Sequence, residues 1–143
     1  MWAAIIFTFS TDAFSSEHTQ GVIIGILQTL LPHARSQTLS TLHGLIRKCA
    51  HLGEYFIFGL LLFRALRAPN EGWQLRWACL AILIAALYAS SDEIHQIFVP
   101  SRGASVWDAL LDTAGASVAQ FAAWVVNKRA KASPDQEFGT HLS

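Results

Sequence analysis

At 143 residues the chain has room for a single domain. It is 52% hydrophobic and only 14% charged, where an ordinary soluble domain carries about 25% charge, so lipid forms part of its solvent. Ten Lys+Arg balance ten Asp+Glu, which argues against nucleic acid as the main partner.

Residues 2–9 (WAAIIFTF) are apolar but too few to span a bilayer, which takes about 20 residues. They read as the end of a transmembrane helix whose beginning is missing. No charged flank or small-residue cleavage site marks them as a signal peptide. Polar, turn-forming sequence follows, and Ser15-Ser16-Glu17-His18 has the pattern of a helix start. Residues 21–31 (GVIIGILQTLL) form a short apolar run stopped by Pro32, which predicts an interfacial or re-entrant helix. Residues 32–44 read as a polar connection, with Ser36, Ser40 and Thr41 as candidate caps.

Three longer helices follow. Residues 46–66 begin polar (Arg47, Lys48, His51, Glu54) and become almost wholly apolar, and Lys48, His51 and Tyr55 share one helical face. A turn around Pro69, Asn70 and Gly72 leads to a helix over residues 73–95. Its end places Asp92, Glu93, His95 and Gln96 directly after fifteen uncharged residues, and Asp92, His95 and Gln96 are spaced for one face. Pro100 breaks the chain before Arg102, and a helix over residues 106–126 starts with Asp108 and Asp112. A polar tail occupies residues 127–143, leaving residues 1–126 as the transmembrane domain. The predicted fold is all-α: a small transmembrane bundle of three clear spans, a truncated first helix and a short interfacial helix. Cys49 and Cys79 fit neither a disulfide framework nor a CxxC pair and are expected to be buried as small hydrophobes. His18, His33, His43 and His141 are expected to be solvent-facing or capping residues.

Basic residues cluster at Arg64, Arg67 and Arg76 and again at Lys128, Arg129 and Lys131, which places both regions on the cytoplasmic side of the membrane. His51, Asp92 and Asp112 each lie sixteen residues from a basic anchor (Arg67, Arg76 and Lys128), about 24 Å along a helix. Three helices thus bring polar groups to one level near the outer face. Ionised groups facing lipid there cost several kcal/mol, so Lys48, Glu54, Asp92, Glu93, Arg102, Asp108 and Asp112 are expected to face one another in an outward-opening polar pocket. His51, Glu54, Asp92, Glu93 and His95 are the candidate proton carriers. Lys48, Gln96, Arg102, Asp108 and Asp112 are the candidate ligand-binding groups. Carboxylate and imidazole suit zinc or manganese, but neither HExxH nor HxxxH occurs, and no metal or cofactor is assigned. Alternatively, the charges pair to hold the outer helix ends together or gate an anionic ligand without chemistry. The expected partners are the bilayer and a lipid-linked or anionic amphiphilic ligand; the sequence leaves the oligomeric state open.

Lys48, His51, Glu54, Tyr55, Phe58, Gly59 and Leu61, then Asp92, Glu93, His95, Gln96, Phe98, Pro100 and Arg102, then Asp108, Asp112 and Gly115 form a pattern. In this pattern the chain resembles the VanZ-like family of bacterial multi-pass membrane proteins, over roughly residues 5–126. Asp112 departs from it, standing where the family commonly has Asn. The resemblance implies a cell-envelope membrane protein, its named member being linked to low-level resistance to the glycopeptide teicoplanin, and implies no established reaction.

Overall fold

The computed structural model describes residues 2–10, 16–68, 72–98 and 105–132. Among them there are five helices and no strand: α1 (Trp2–Ser10), α2 (Ser16–Leu30), α3 (Ser36–Arg67), α4 (Leu75–Gln96) and α5 (Val106–Ala132). The 32, 22 and 27 residues of α3, α4 and α5 are each long and apolar enough to cross a membrane. At 1.5 Å per residue their lengths are about 48, 33 and 40 Å against a hydrocarbon core of about 30 Å.

Two boundaries differ from the sequence expectation. The connection after α2 is only residues 31–35, because α3 starts at Ser36 and takes in Ser40 and Thr41 as interior residues. The Thr41 hydroxyl donates to the Gln37 carbonyl one turn back, 3.0 Å away, so a residue read as a cap is satisfied within the helix. Arg35 occupies the N-cap in extended conformation with no side-chain cap. At the other end of the chain, α5 continues past Val126 to Ala132. Arg129 and Lys131 in its last turn favour that extension by facing the negative end of the helix dipole.

The three long helices pack through small residues. In α4 the buried face is Ala78, Ala81, Ala85 and Ala89, and in α5 it is Asp112, Gly115, Ala116, Ala119 and Gln120. Both follow the three-and-four spacing of one helical stripe. Backbones come close: a Cβ built on Gly115 would stand 2.6 Å from the Leu52 carbonyl oxygen, and one on Gly59 3.0 Å from Ala116 Cα. Inside a bilayer, where apolar burial gives little drive for helix association, such contact between small residues holds helices together. His51 meets Asp112, and Gly59 meets Gln120 eight residues further along both helices, so α3 and α5 run parallel. α5 packs against both α3 and α4.

The short helices attach to this core. α1 contacts α3 and α4 through two long-range hydrogen bonds: the Trp2 indole donates to the Glu54 carbonyl at 3.1 Å, and the Tyr88 hydroxyl to the Ala3 carbonyl at 2.6 Å. Ile6 completes an apolar cluster with Tyr55, Phe58, Ala85, Ala89 and Ala116. α2 contacts α3 alone among the described helices and leaves Val22, Ile26 and Leu30 exposed in one stripe.

Two expectations about individual residues fail. Cys49 and Cys79 are free but exposed, since the outward face of an apolar bundle suits a thiol as well as its interior does. His43 is buried rather than solvent-facing, one turn from the buried Leu39 inside the unbroken α3.

The glycines give a direct test of the packing. Gly115→Ala should destabilise the detergent-solubilised protein by about 1–3 kcal/mol through overpacking against α3. Gly53, with nothing within 4 Å of an added Cβ, should accept alanine with no loss, or a gain of up to about 1 kcal/mol. Equal thermal shifts for the two variants would refute the close α3–α5 contact.

Candidate functional site

The polar groups collect where the first half of α3, the end of α4 and the start of α5 meet. Asp112 is 2% exposed, deep on the α5 stripe, and its Oδ1 lies 3.4 Å from His51 Nδ1. This is ion-pair distance, but neither atom reaches hydrogen-bond alignment. One turn further along α3, Tyr55 is 1% exposed, and its hydroxyl has no hydrogen-bond partner among the described residues. Asp112 and Asp92 both lie within electrostatic range of Tyr55, as does Glu54. The level inferred for His51, Asp92 and Asp112 by counting from three basic anchors is thus where the structure gathers them.

α4 contributes its last turn and a half. Asp92, Glu93 and Gln96 are buried. The Gln96 amide donates to Asp92 Oδ2 at 3.1 Å. Glu93 Oε2 accepts the Ser105 backbone N–H at 2.7 Å, which ties the entrance of α5 to the end of α4. Asp108, half-buried in the first turn of α5, lies within electrostatic range of Glu93 and Asp112. Acidic side chains at a helix C-terminus oppose the helix dipole. Asp92 and Glu93 occupy that unfavourable position and are buried as well, a local conflict of the kind that marks functional sites.

Several sequence candidates stand apart from this core. His95 is exposed, because the buried stripe of α4 runs through Ala89, Asp92, Glu93 and Gln96 and turns His95 aside. The face predicted for Asp92, His95 and Gln96 is therefore corrected to Asp92, Glu93 and Gln96. Lys48 is also exposed, one turn above His51 and about 60° around the helix, and it makes no ion pair among the described residues. Glu54 is half-buried, within electrostatic range of His51. Arg102 lies outside the described residues. No group of three or more His, Cys, Asp or Glu among the described residues could hold a metal ion.

Sequence reasoning missed Gln120, which is 3% exposed and donates through Nε2 to the Gly59 carbonyl at 2.9 Å. Its signal was legible as a lone amide inside an apolar run, eight residues after Asp112 and hence on the same face. The anchoring roles of Trp2 and Tyr88 gave no such signal, because each depends on a backbone carbonyl of another helix.

A family model described as VanZ/LLP1 matches residues 1–127. The chain belongs to the VanZ-like family. No curated protein and no solved structure gives a significant match. Membership, together with three helices able to span a bilayer, makes this VanZ-like chain a multi-pass membrane protein whose apolar helix faces contact lipid.

Coupling between the two central groups of this VanZ-like bundle is measurable by a double-mutant cycle. His51→Ala and Asp112→Asn should be non-additive by at least about 0.5–1 kcal/mol in detergent unfolding. Strict additivity would mean that the 3.4 Å approach carries no interaction.

Proposed function

We propose that the polar cluster is a proton-transfer site acting on a lipid of the bacterial cell envelope or on a lipid-linked intermediate. The observation that carries this reading is His51 held beside Asp112, a carboxylate 2% exposed at the meeting point of three membrane-spanning helices. An imidazole next to a buried carboxylate can take and return a proton near neutral pH. Glu54, Asp92 and Glu93 stand around it as further proton carriers. The exposed His95 and Lys48 lie where an arriving headgroup would meet them. Lys48 and Arg102 are the cations to bind its phosphate, while Gln96, Asp108 and Asp112 orient polar groups. The cluster opens to the outer side of the cytoplasmic membrane, the basic ends of α3 and α5 and the tail lie in the cytoplasm, and residues 1–126 form the functional domain. The link of the family's named member to teicoplanin resistance fits an envelope substrate.

A second reading draws support from the bond between Glu93 and the Ser105 backbone. Here the charges fasten the outer helix ends and act on no substrate, or gate an anionic ligand.

His51→Asn separates the two readings. Asparagine keeps a donor near the position of Nδ1 but cannot carry a proton at neutral pH. On the catalytic reading, envelope lipid species that change when the wild-type protein is expressed should revert in the variant. The underlying rate should fall by about 10²-fold or more, with membrane abundance retained. A variant that folds and leaves the lipid profile and teicoplanin susceptibility at wild-type values would sink the proton-transfer role; a collapse in abundance would favour the structural one.

The orientation has its own test. With Cys49 and Cys79 changed to serine, Ser101→Cys should react with a membrane-impermeant maleimide on intact cells. Labelling only after lysis would invert the topology.

A further inference from the structure

Tyr55 is a buried titratable side chain with no part in the proton transfer proposed for His51. It is 1% exposed, and its ring is set edge-on against Phe58, centroids 6.0 Å apart, within the cluster that includes Ile6, Ala85, Ala89 and Ala116. Its hydroxyl nevertheless finds no hydrogen-bond partner among the described residues, whereas the other tyrosine, Tyr88, donates to the Ala3 carbonyl. Phenylalanine would fill the same space without the cost of burying an unpartnered hydroxyl. Packing therefore does not account for the oxygen.

Ionisable groups from three helices lie within electrostatic range of Tyr55: Asp112 on α5, Asp92 and Tyr88 on α4, and Glu54 on α3. Asp92 Oδ2 takes the Gln96 amide, and Tyr88 has committed its proton to Ala3. Asp112 acts on Tyr55 most strongly of the four. It is 2% exposed, and its Oδ1 accepts no hydrogen bond among the described residues. His51 Nδ1, 3.4 Å from that oxygen, is a third buried polar atom in the same condition. A donor and an acceptor enclosed together without bonding directly are commonly joined by a water. An internal water makes about three hydrogen bonds, one for each of these atoms.

We propose that Tyr55 positions the His51–Asp112 pair through one internal water, which accepts from the Tyr55 hydroxyl and from His51 Nδ1–H and donates to Asp112 Oδ1. Anchored in this way, the carboxylate keeps the imidazole proton on the buried nitrogen, because the bond made by one ring nitrogen decides the tautomer. Nε2 is then the nitrogen that meets a substrate, the imidazole being 19% exposed while its Nδ1 is buried. No proton leaves Tyr55; it acts through the water and Asp112 and touches no substrate. Its part in catalysis rests on the proton-transfer reading, whereas the water and the tautomer belong to the resting protein.

Both properties are read on the full chain in detergent, without a substrate. In X-ray radiolytic footprinting an ordered water labels the side chain it touches, even out of reach of bulk solvent. Tyr55 should be oxidised severalfold faster, relative to intrinsic reactivity, than Phe63, which is 6% exposed in apolar surroundings. Nitrogen NMR of the neutral imidazoles, with the His51 signals assigned by their loss in His51→Asn, should show the Nδ1–H tautomer alone in the wild type. Tyr55→Phe should show a mixture of the two tautomers. That variant keeps the ring and the packing, and its melting temperature should fall because a bonded hydroxyl is lost. Labelling of Tyr55 no faster than Phe63, a tautomer unchanged in Tyr55→Phe, or a melting temperature that rises as a dry hydroxyl is deleted would each overturn the proposal. If His51→Asn leaves the lipid profile unchanged while these results hold, the proton-transfer role fails and the water-held pair stands.

Discussion

The spacing of every polar group in this bundle depends on how closely α3 and α5 approach. Gly115 lies against the Leu52 carbonyl and Gly59 against Ala116, so two backbones meet where larger side chains would hold them apart. That contact sets the rotation and height of α5 against α3. It leaves Asp112, three residues before Gly115, opposite His51, and Gln120 opposite Gly59. Small residues supply the geometry and polar residues the specificity, a division suited to a solvent in which hydrocarbon contact alone distinguishes few arrangements.

α4 solves a different problem. Its alanine stripe lets it pack against α5, yet the same stripe ends in Asp92, Glu93 and Gln96. The chain places acids at the negative end of a helix and buries them, two unfavourable choices that packing alone does not require. The compensation is local: an amide reaches Asp92 and a backbone N–H reaches Glu93. A charge-assisted bond of this kind contributes about 1.5–3 kcal/mol, enough to offset part of the desolvation and to hold the next helix in place. The two ends of the bundle therefore differ in kind, acids and imidazole at one, arginine and lysine resting on aromatic rings at the other.

Much of the site was legible before any coordinates. Counting residues from Arg67, Arg76 and Lys128 put His51, Asp92 and Asp112 at one height, since helical rise is nearly constant whatever the side chains. Rotation was less legible. A three-residue step can fall on either edge of a helical face, and His95 and Lys48 landed outside it while Glu93 landed inside. Boundaries failed for a related reason: Ser40 and Thr41 have the chemistry of caps, but within α3 the Thr41 hydroxyl is satisfied by the turn before it. The cysteines were misplaced because a rule drawn from water-soluble cores equates apolar with buried, whereas lipid accepts apolar groups on the outside.

Composition and hydropathy were sufficient for the all-α class, the three spans and their order, because a bilayer admits few ways to satisfy a backbone. The motif residues were sufficient for the family. Tertiary structure alone decided which polar groups touch: the His51–Asp112 approach, the Gln120 bond to Gly59, and the pinning of α1 by Trp2 and Tyr88. Each joins residues more than fifty positions apart in the sequence. Their meeting depends on the angle at which helices pack, a quantity set by the contact of small residues and carried by no single segment.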